Sequence, residues 1–168
     1  GRFLNMTKSL KHMGRRTGAI LVSLLLLLTL AVSASAAAVK MTVGVRFWRE
    51  SGDKESMADS AVDTTREATL TRQPNGTFTL ELPVKQLSSM NMTGRLTGIA
   101  IGEVNYDGSL SGDLSDGTAV LTLKNLPASV LTGSDSNKAL AVTCSIKMDT
   151  ILLGDITTSA KMSIWVER

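Results

Sequence analysis

The stretch VKMTVGVRFW, residues 39–48, decides the fold class. Its apolar side chains recur at every second position: Val39, Met41, Val43, Val45 and Phe47. A period of two is typical of a β-strand with one buried face, because successive side chains of a strand point to opposite sides. The stretch therefore predicts a half-buried strand of an antiparallel sheet.

The same alternation continues along the chain and indicates about eight strands. They lie near residues 38–48, 66–72, 77–87, 93–101, 103–110, 118–124, 139–148 and 159–167. Asn75-Gly76 and Asp116-Gly117 supply turn chemistry between them. We predict an all-β, immunoglobulin-like antiparallel β-sandwich of about eight strands. One short helix is expected over 56–62, with the Ser56 hydroxyl as its cap.

The last two predicted strands suggest a hairpin with methionines near its tip. Gly154-Asp155 is typical of a turn, and a hairpin centred on residue 155 would place Met148 opposite Met162 on the apolar face. The apolar run Ile151-Leu152-Leu153 would then lie in the tip. Such a run is unusual for a loop and is a candidate wall that covers a ligand.

Residues 13–36, MGRRTGAILVSLLLLLTLAVSASA, have the organisation of a secretory signal peptide. Arg15 and Arg16 form a basic region, an apolar core follows, and Ala34-Ser35-Ala36 resembles a cleavage site. The core is shorter than the roughly 20 residues of a membrane span, which disfavours a transmembrane anchor.

We therefore predict cleavage after Ala36. Residues 1–36 would comprise upstream residues and the signal peptide, and residues 37–168 a single β-sandwich domain. The mature chain is expected to be secreted, extracellular or at the cell surface, with membrane contact only during export.

Cleavage would change the net charge of the chain. The whole sequence has 18 Lys and Arg against 15 Asp and Glu, a formal net charge of +3. Five of the basic residues and none of the acidic ones precede residue 37, which leaves 13 against 15 and a net charge of −2. No cluster of Lys and Arg remains to neutralise phosphates, which argues against a nucleic-acid partner.

The mature region lacks the residues of common active sites. Its sequence contains no histidine, because the single histidine of the chain is His12. This excludes a Ser-His-Asp triad, a Cys-His pair and the usual zinc sites. Cys144 is the only cysteine and is interpreted as a buried small hydrophobic residue. Asp113 and Asp116 lie in a Gly/Ser-rich turn that is more typical of a solvated loop than of a calcium site. We expect a protein that is not an enzyme.

Sulfur is the distinctive chemistry that remains. Thioethers suit soft metals and haem iron, although methionine also fills gaps in hydrophobic cores. Of the eight methionines, six follow residue 36: Met41, Met57, Met90, Met92, Met148 and Met162. We interpret Met41, Met90 and Met92 as packing residues. Met57 is different, because it lies in the polar segment KESMADSAV, residues 54–62.

These motifs together resemble the NEAT (near-iron transporter) domains, and within them the streptococcal-type cell-surface haem-binding proteins. Ser56-Met57-Ala58-Asp59-Ser60 resembles the short helix with a Ser-Met pair after the first strand of that family. Leu87-Ser88-Ser89-Met90 resembles its serine-rich turn. The hairpin with Met148 and Met162 stands where the family has the second wall of its haem pocket.

The resemblance implies a haem-binding module that captures and transfers haem for iron acquisition. Met57 would ligate the iron from one side, and Met148 or Met162 from the other. It also implies haem-carrier or receptor proteins as partners. The remaining implied site residues are Ser56, the porphyrin-shielding Ile151, Leu152 and Leu153, and Lys54, which could meet a propionate.

The sequence departs from the family at its hairpin tyrosines. Many NEAT domains ligate ferric haem through a Tyr-x-x-x-Tyr pair, whereas the only tyrosine here is Tyr106. The resemblance therefore implies a two-methionine mode instead. The alternative from the sequence is a cell-surface interaction module, an immunoglobulin-like β-sandwich that binds protein or carbohydrate and whose methionines only pack.

Overall fold

The computed structural model describes residues 37–89, 91–150 and 154–167. Ala38–Arg168 form one compact unit. The described residues form ten strands and three short 3-10 helices (η): β1 Val39–Arg49, η1 Met57–Ala61, β2 Ala68–Arg72, β3 Phe78–Pro83, β4 Leu87–Ser89, β5 Met92–Ile101, β6 Val104–Asp107, β7 Ser109–Ser111, β8 Val120–Leu126, η2 Ala128–Val130, η3 Ser136–Lys138, β9 Leu140–Met148 and β10 Asp155–Val166.

The strands pair antiparallel in the order β4-β5-β9-β10-β1-β2-β3-β8-β7, and β6 pairs with β5. The fold-class prediction is confirmed, with ten strands in place of about eight. The count differs because the predicted strand 103–110 is divided at Gly108. A separate short strand, β4, also begins at Leu87, the last residue of the predicted strand 77–87. The predicted helix is present as the 3-10 helix η1.

The first and last strands are neighbours in the middle of the sheet. β1 pairs with β10 from Val43↔Val166 to Arg49↔Ala160, and with β2 on its other side. Val43, Val45 and Phe47 face inward as the alternation predicts, and Phe47 is fully buried. The inward faces of the strands share a single core. Cys144 lies in it, and burial raises the pKa of its thiol to about 12, so the side chain is a neutral packing group.

A continuous ribbon, β6-Gly108-β7, joins two distant strands of the sheet. β6 pairs with β5 and β7 pairs with β8. Between them the Gly108 N–H donates to the Thr97 carbonyl at 2.9 Å. A Cβ at Gly108 would lie 2.8 Å from Leu121 Cγ and 3.0 Å from the Thr97 carbonyl oxygen. Only glycine therefore lets the ribbon cross this closely over β8.

Arg66, just before β2, bonds to the chain after β3 and to the chain before β8. Its Nη2 donates to the carbonyls of Ala119 at 2.8 Å and Val84 at 3.2 Å, and its Nε donates to Asp63 Oδ2 at 2.8 Å. Hydrogen bonds from Thr65 and Arg66 lower the pKa of Asp63 to about 2. The loop between η1 and β2 is thereby held in one conformation.

Within the described part of the chain, the structure contains no helix of the length and apolarity needed to cross a membrane. The predicted signal peptide, residues 1–36, lies outside that part.

We expect Gly108→Ala to lower the free energy of unfolding by about 1–3 kcal/mol, because the added methyl overpacks the contact with Leu121. Urea denaturation followed by tryptophan fluorescence measures this. Ser109→Ala, at the next and exposed position, is the matched control and should leave stability nearly unchanged. Equal stability of the two variants would contradict the tight crossing.

Candidate functional site

The short helix η1 presents Met57 because its first turn is capped as the sequence predicts. Ser56 has an extended backbone conformation, and its side-chain oxygen accepts from the Ala58 N–H at 3.3 Å. Ser60 Oγ donates to the Met57 carbonyl at 2.7 Å. Ala58 and Ala61 are fully buried, whereas Met57 is half-buried and packs against the edge of the core. The thioether of Met57 is therefore placed between core and solvent.

Hydrogen bonds to Phe47 hold η1 against β1. The Asp59 carboxylate accepts from the Phe47 N–H at 2.8 Å, and the Ser56 N–H donates to the Phe47 carbonyl at 2.9 Å. Asp59 Oδ2 also lies 4.0 Å from Arg46 Nε. Burial raises the pKa of Asp59 above its ordinary value of 3.8, while the Phe47 hydrogen bond and the Arg46 charge oppose that rise.

The other end of η1 is attached to the chain that follows β3. The Lys85 N–H donates to the Ala61 carbonyl at 2.9 Å, and Val62 forms a β-bridge with Val84. This attachment brings Lys85 and the serines of β4 beside the helix, although they lie more than 20 residues later in the sequence.

A cavity of about 520 Å³ lies along η1. Its lining combines one thioether, several hydroxyls, three basic and two acidic side chains: Arg46, Arg49, Glu55, Ser56, Met57, Asp59, Ser60, Val62, Thr64, Lys85, Ser88 and Ser89. Arg46 is already engaged, because its Nη1 lies 3.3 Å from Glu55 Oε1. A half-buried thioether next to cationic side chains is suited to a ligand with a soft metal and negative groups.

The predicted register of the last hairpin is wrong. Asp155 pairs with Lys147 and Met162 pairs with Leu140, so Met148 and Met162 do not face each other. The Met148 N–H donates to the Gly154 carbonyl at 2.9 Å, and Gly154 turns the chain with a φ of 56°. The partner of Met148 is therefore eight residues earlier than predicted (162 − 154 = 8). An even shift leaves every side chain on its face, so alternation alone could not reveal the error.

Met148 and Met162 are both core residues in this structure. Met162 is fully buried, and its neighbours across the two adjoining strands are Leu140 and Phe47. Met148 is 5% exposed at the end of β9 and lies over Gly94, where a Cβ would be 2.8 Å from its sulfur. The described lining of the Met57 cavity contains neither of them.

The other predicted site residues have different outcomes. Ser56 caps η1 and lines the cavity. Lys54 is exposed, its carbonyl accepts from the Arg49 N–H at 2.8 Å, and it is not among the described lining residues. Ile151, Leu152 and Leu153 lie outside the described residues.

Sequence reasoning missed Arg49 and Lys85. Arg49 ends β1 and Lys85 follows β3, two positions that only the docking of η1 brings to one cavity. The signal in the sequence was weak, since each is a single exposed basic residue at the end of a strand.

No protein-family model matches the chain, and no curated protein sequence matches it. Among solved structures, the chain is similar to the NEAT5 domain of IsdX2, a B. anthracis hemophore in complex with heme. The identity is 10%, the TM-score is 0.49, and the match covers 79% of this chain and 99% of that chain. A mutant of IsdX2-NEAT5 in complex with heme matches at 10% identity and a TM-score of 0.49, over 79% of this chain and 98% of that chain.

The raised pKa of Asp59 predicts a pH dependence of stability. The folded protein binds the Asp59 proton more tightly than the unfolded chain, whose pKa is near 3.8. The contribution of Asp59 is therefore most favourable below that value and declines as the pH rises through the folded pKa. The free energy of unfolding should fall relative to that of Asp59→Asn as the pH rises above about 3.8, as urea denaturation can measure.

Asp63→Asn supplies the opposite case. The pKa of Asp63 is lowered to about 2, so its stabilising contribution is present above 3.8 and lost as the pH falls through about 2. This variant should lose stability relative to the native chain as the pH rises through that range. The same sign of slope for both variants would contradict the assignment of Asp59 to a buried environment.

Proposed function

We propose that this chain is a secreted or surface haem-binding module that captures haem and passes it on for iron acquisition, without catalysis. The observation that carries the proposal is the half-buried Met57 on a helix that borders a cavity of about 520 Å³. The size is within the range of about 300–1,000 Å³ that small-molecule sites have. The secreted location follows from the predicted signal peptide.

The chemistry of the lining fits a haem cargo at three points. The Met57 thioether is a soft ligand that haem iron accepts. Arg49 and Lys85 are cations that can pair with the propionates, and Ser88 and Ser89 can donate hydrogen bonds to them. Two neutral thioether ligands would favour ferrous iron and raise the reduction potential.

For the second ligand we propose Met148 rather than Met162. Met162 is enclosed between Leu140 and Phe47 in the core, whereas Met148 ends β9, next to the segment with Ile151, Leu152 and Leu153. We propose that this segment shields the porphyrin and that Lys54 meets a propionate. Ser56 keeps the role of positioning Met57 through its cap.

We further propose that the chain is a NEAT-like domain of the streptococcal-type haem-binding branch, with haem-carrier or receptor proteins as partners. The support is the Ser56-Met57 pair on a short helix directly after the first strand, together with a C-terminal hairpin.

A second function is favoured by a specific observation. Met148 and Met162 are buried and serve as packing residues in the structure. This burial favours a non-enzymatic interaction module, a β-sandwich that binds protein or carbohydrate at the cell surface.

The first test replaces Met57 by Leu, which keeps the side-chain volume and removes the sulfur. The native chain titrated with haem should give a Soret band and, after reduction, the sharp visible bands of a six-coordinate thioether complex. Met57→Leu should lose those sharp bands and weaken haem binding at least about tenfold. Met41→Leu removes a thioether on β1 and is the control that should match the native chain.

Met148→Leu and Met162→Leu then decide the second ligand, because only the variant of the true ligand should change the visible bands. Absence of a Soret band from the native chain would contradict haem binding itself. An unchanged spectrum of Met57→Leu would contradict the assigned site alone.

The basic lining makes a separate prediction. Arg49→Ala and Lys85→Ala should each weaken haem binding about threefold to tenfold, because each removes one charge that pairs with a propionate. Protoporphyrin dimethyl ester, whose propionates are neutral, should bind all variants alike. Lys147→Ala, at an exposed position on β9, is the matched control. If the variants lost as much affinity for the ester as for haem, these residues would act on the fold rather than on the carboxylates.

A further inference from the structure

A second cleft, separate from the Met57 cavity, opens beside Trp165 where the pairing of β1 with β2 ends. The last pair is Val43↔Ala68, and beyond it the loop 62–67 runs beside β1 without continuing the ladder. The cleft has a volume of about 280 Å³. Its lining includes Val43, Val45, Leu82 and Pro83, whose side chains are themselves buried.

One wall of the cleft is the indole of Trp165. Trp165 is the cross-strand partner of Gly44, and an added Cβ at Gly44 would collide with the indole ring, 2.7 Å from its Nε1. The indole therefore lies across the bare backbone of Gly44, and the half-exposed remainder of the ring lines the cleft. The strand and the glycine fix the ring in place, so its orientation costs a ligand little conformational entropy.

The polar side chains of the cleft divide into fixed and available groups. Asp63 and Arg66 bond to each other, and Arg66 also bonds to two carbonyls, so both belong to the wall. Arg46 is paired with Glu55 and lies over the Trp48 ring, 5.5 Å from its centroid. Glu67 and Glu167 are exposed at the rim, where their carboxylates can accept hydrogen bonds.

We propose that this cleft binds a neutral sugar ring. A pyranose has an apolar C–H face that can stack on an indole, and hydroxyl groups that can donate to carboxylates such as Glu67 and Glu167. The carboxylates at the rim oppose phosphorylated or acidic sugars.

The sugar site does not depend on the haem proposal. The two cavities share only Arg46, Val62 and Thr64 among their described lining residues, and Trp165 belongs to the cleft alone. A chain that failed to bind haem could still bind sugar here, and the two functions can be tested apart.

The test uses the fact that the chain has two tryptophans. Trp48→Phe leaves Trp165 as the reporter, and the variant is titrated with three neutral sugars, maltotriose, cellotriose and triacetylchitotriose. We expect a saturable change of Trp165 fluorescence with at least one of them. In Trp165→Phe, the remaining Trp48 lies outside the described lining and should give no response.

The carboxylates supply the second measurement. The double variant is made in the Trp48→Phe background and carries Glu67→Gln and Glu167→Gln. It should bind the sugar about tenfold more weakly, because two charge-assisted hydrogen bonds become neutral ones. Both positions are exposed, so folding should be unaffected, and Glu103→Gln, another exposed position, is the matched control.

Three results would each overturn the proposal. They are no saturable response to any of the three sugars, a response that the double Gln variant leaves unchanged, or a response to choline as strong as the response to the sugars. The haem spectrum of the same variants should not change. A loss of sugar binding with haem binding intact therefore separates this site from the proposed haem site.

Discussion

The peptide groups of Phe47 determine where η1 and the candidate site lie. The side chain of Phe47 is buried in the core, and its backbone N–H and carbonyl bond to Asp59 and Ser56 at the start of η1. A helix of five residues does not form alone, because the nucleation of a helical turn is unfavourable. η1 exists because β1 provides a rigid edge for it, and the position of Met57 is a consequence of that attachment.

The methionines differ in how deeply they are buried, and burial sets how readily each could leave the core for a ligand. Full burial of a methionine side chain is worth about 1.5–3 kcal/mol, which a ligand would have to offset to draw the residue from the core. Met162 would lose all of this burial free energy on leaving the core, and Met148 would lose nearly all of it. Met57 already lies at the boundary of the core and would lose less burial free energy. The methionine sulfurs of this chain thus differ in how accessible they are to an external ligand.

Alternation predicted the strands, the buried face and the fold class well, because burial on one face imposes a period of two that any register preserves. Ser56 as a helix cap was also readable, since capping is local. The sequence did not predict the register of β9 with β10, because that register depends on where the turn closes at Gly154. It did not predict Arg49 and Lys85 as site residues either, because only the tertiary attachment of η1 brings them together. Haem, the second ligand and export remain predictions from the sequence.

The pairing of β1 with β10 has a consequence for how the chain acquires its structure. Seven residue pairs join the first strand to the last, from Val43↔Val166 to Arg49↔Ala160. The centre of the sheet is thus closed by residues more than 100 positions apart, and such non-local contacts form slowly because their loop entropy is lost first. While a ribosome is still making the chain, β1 can pair with β2 but lacks its other neighbour, β10, and the core cannot be completed. Completion of the core must therefore wait until β10 has been synthesised.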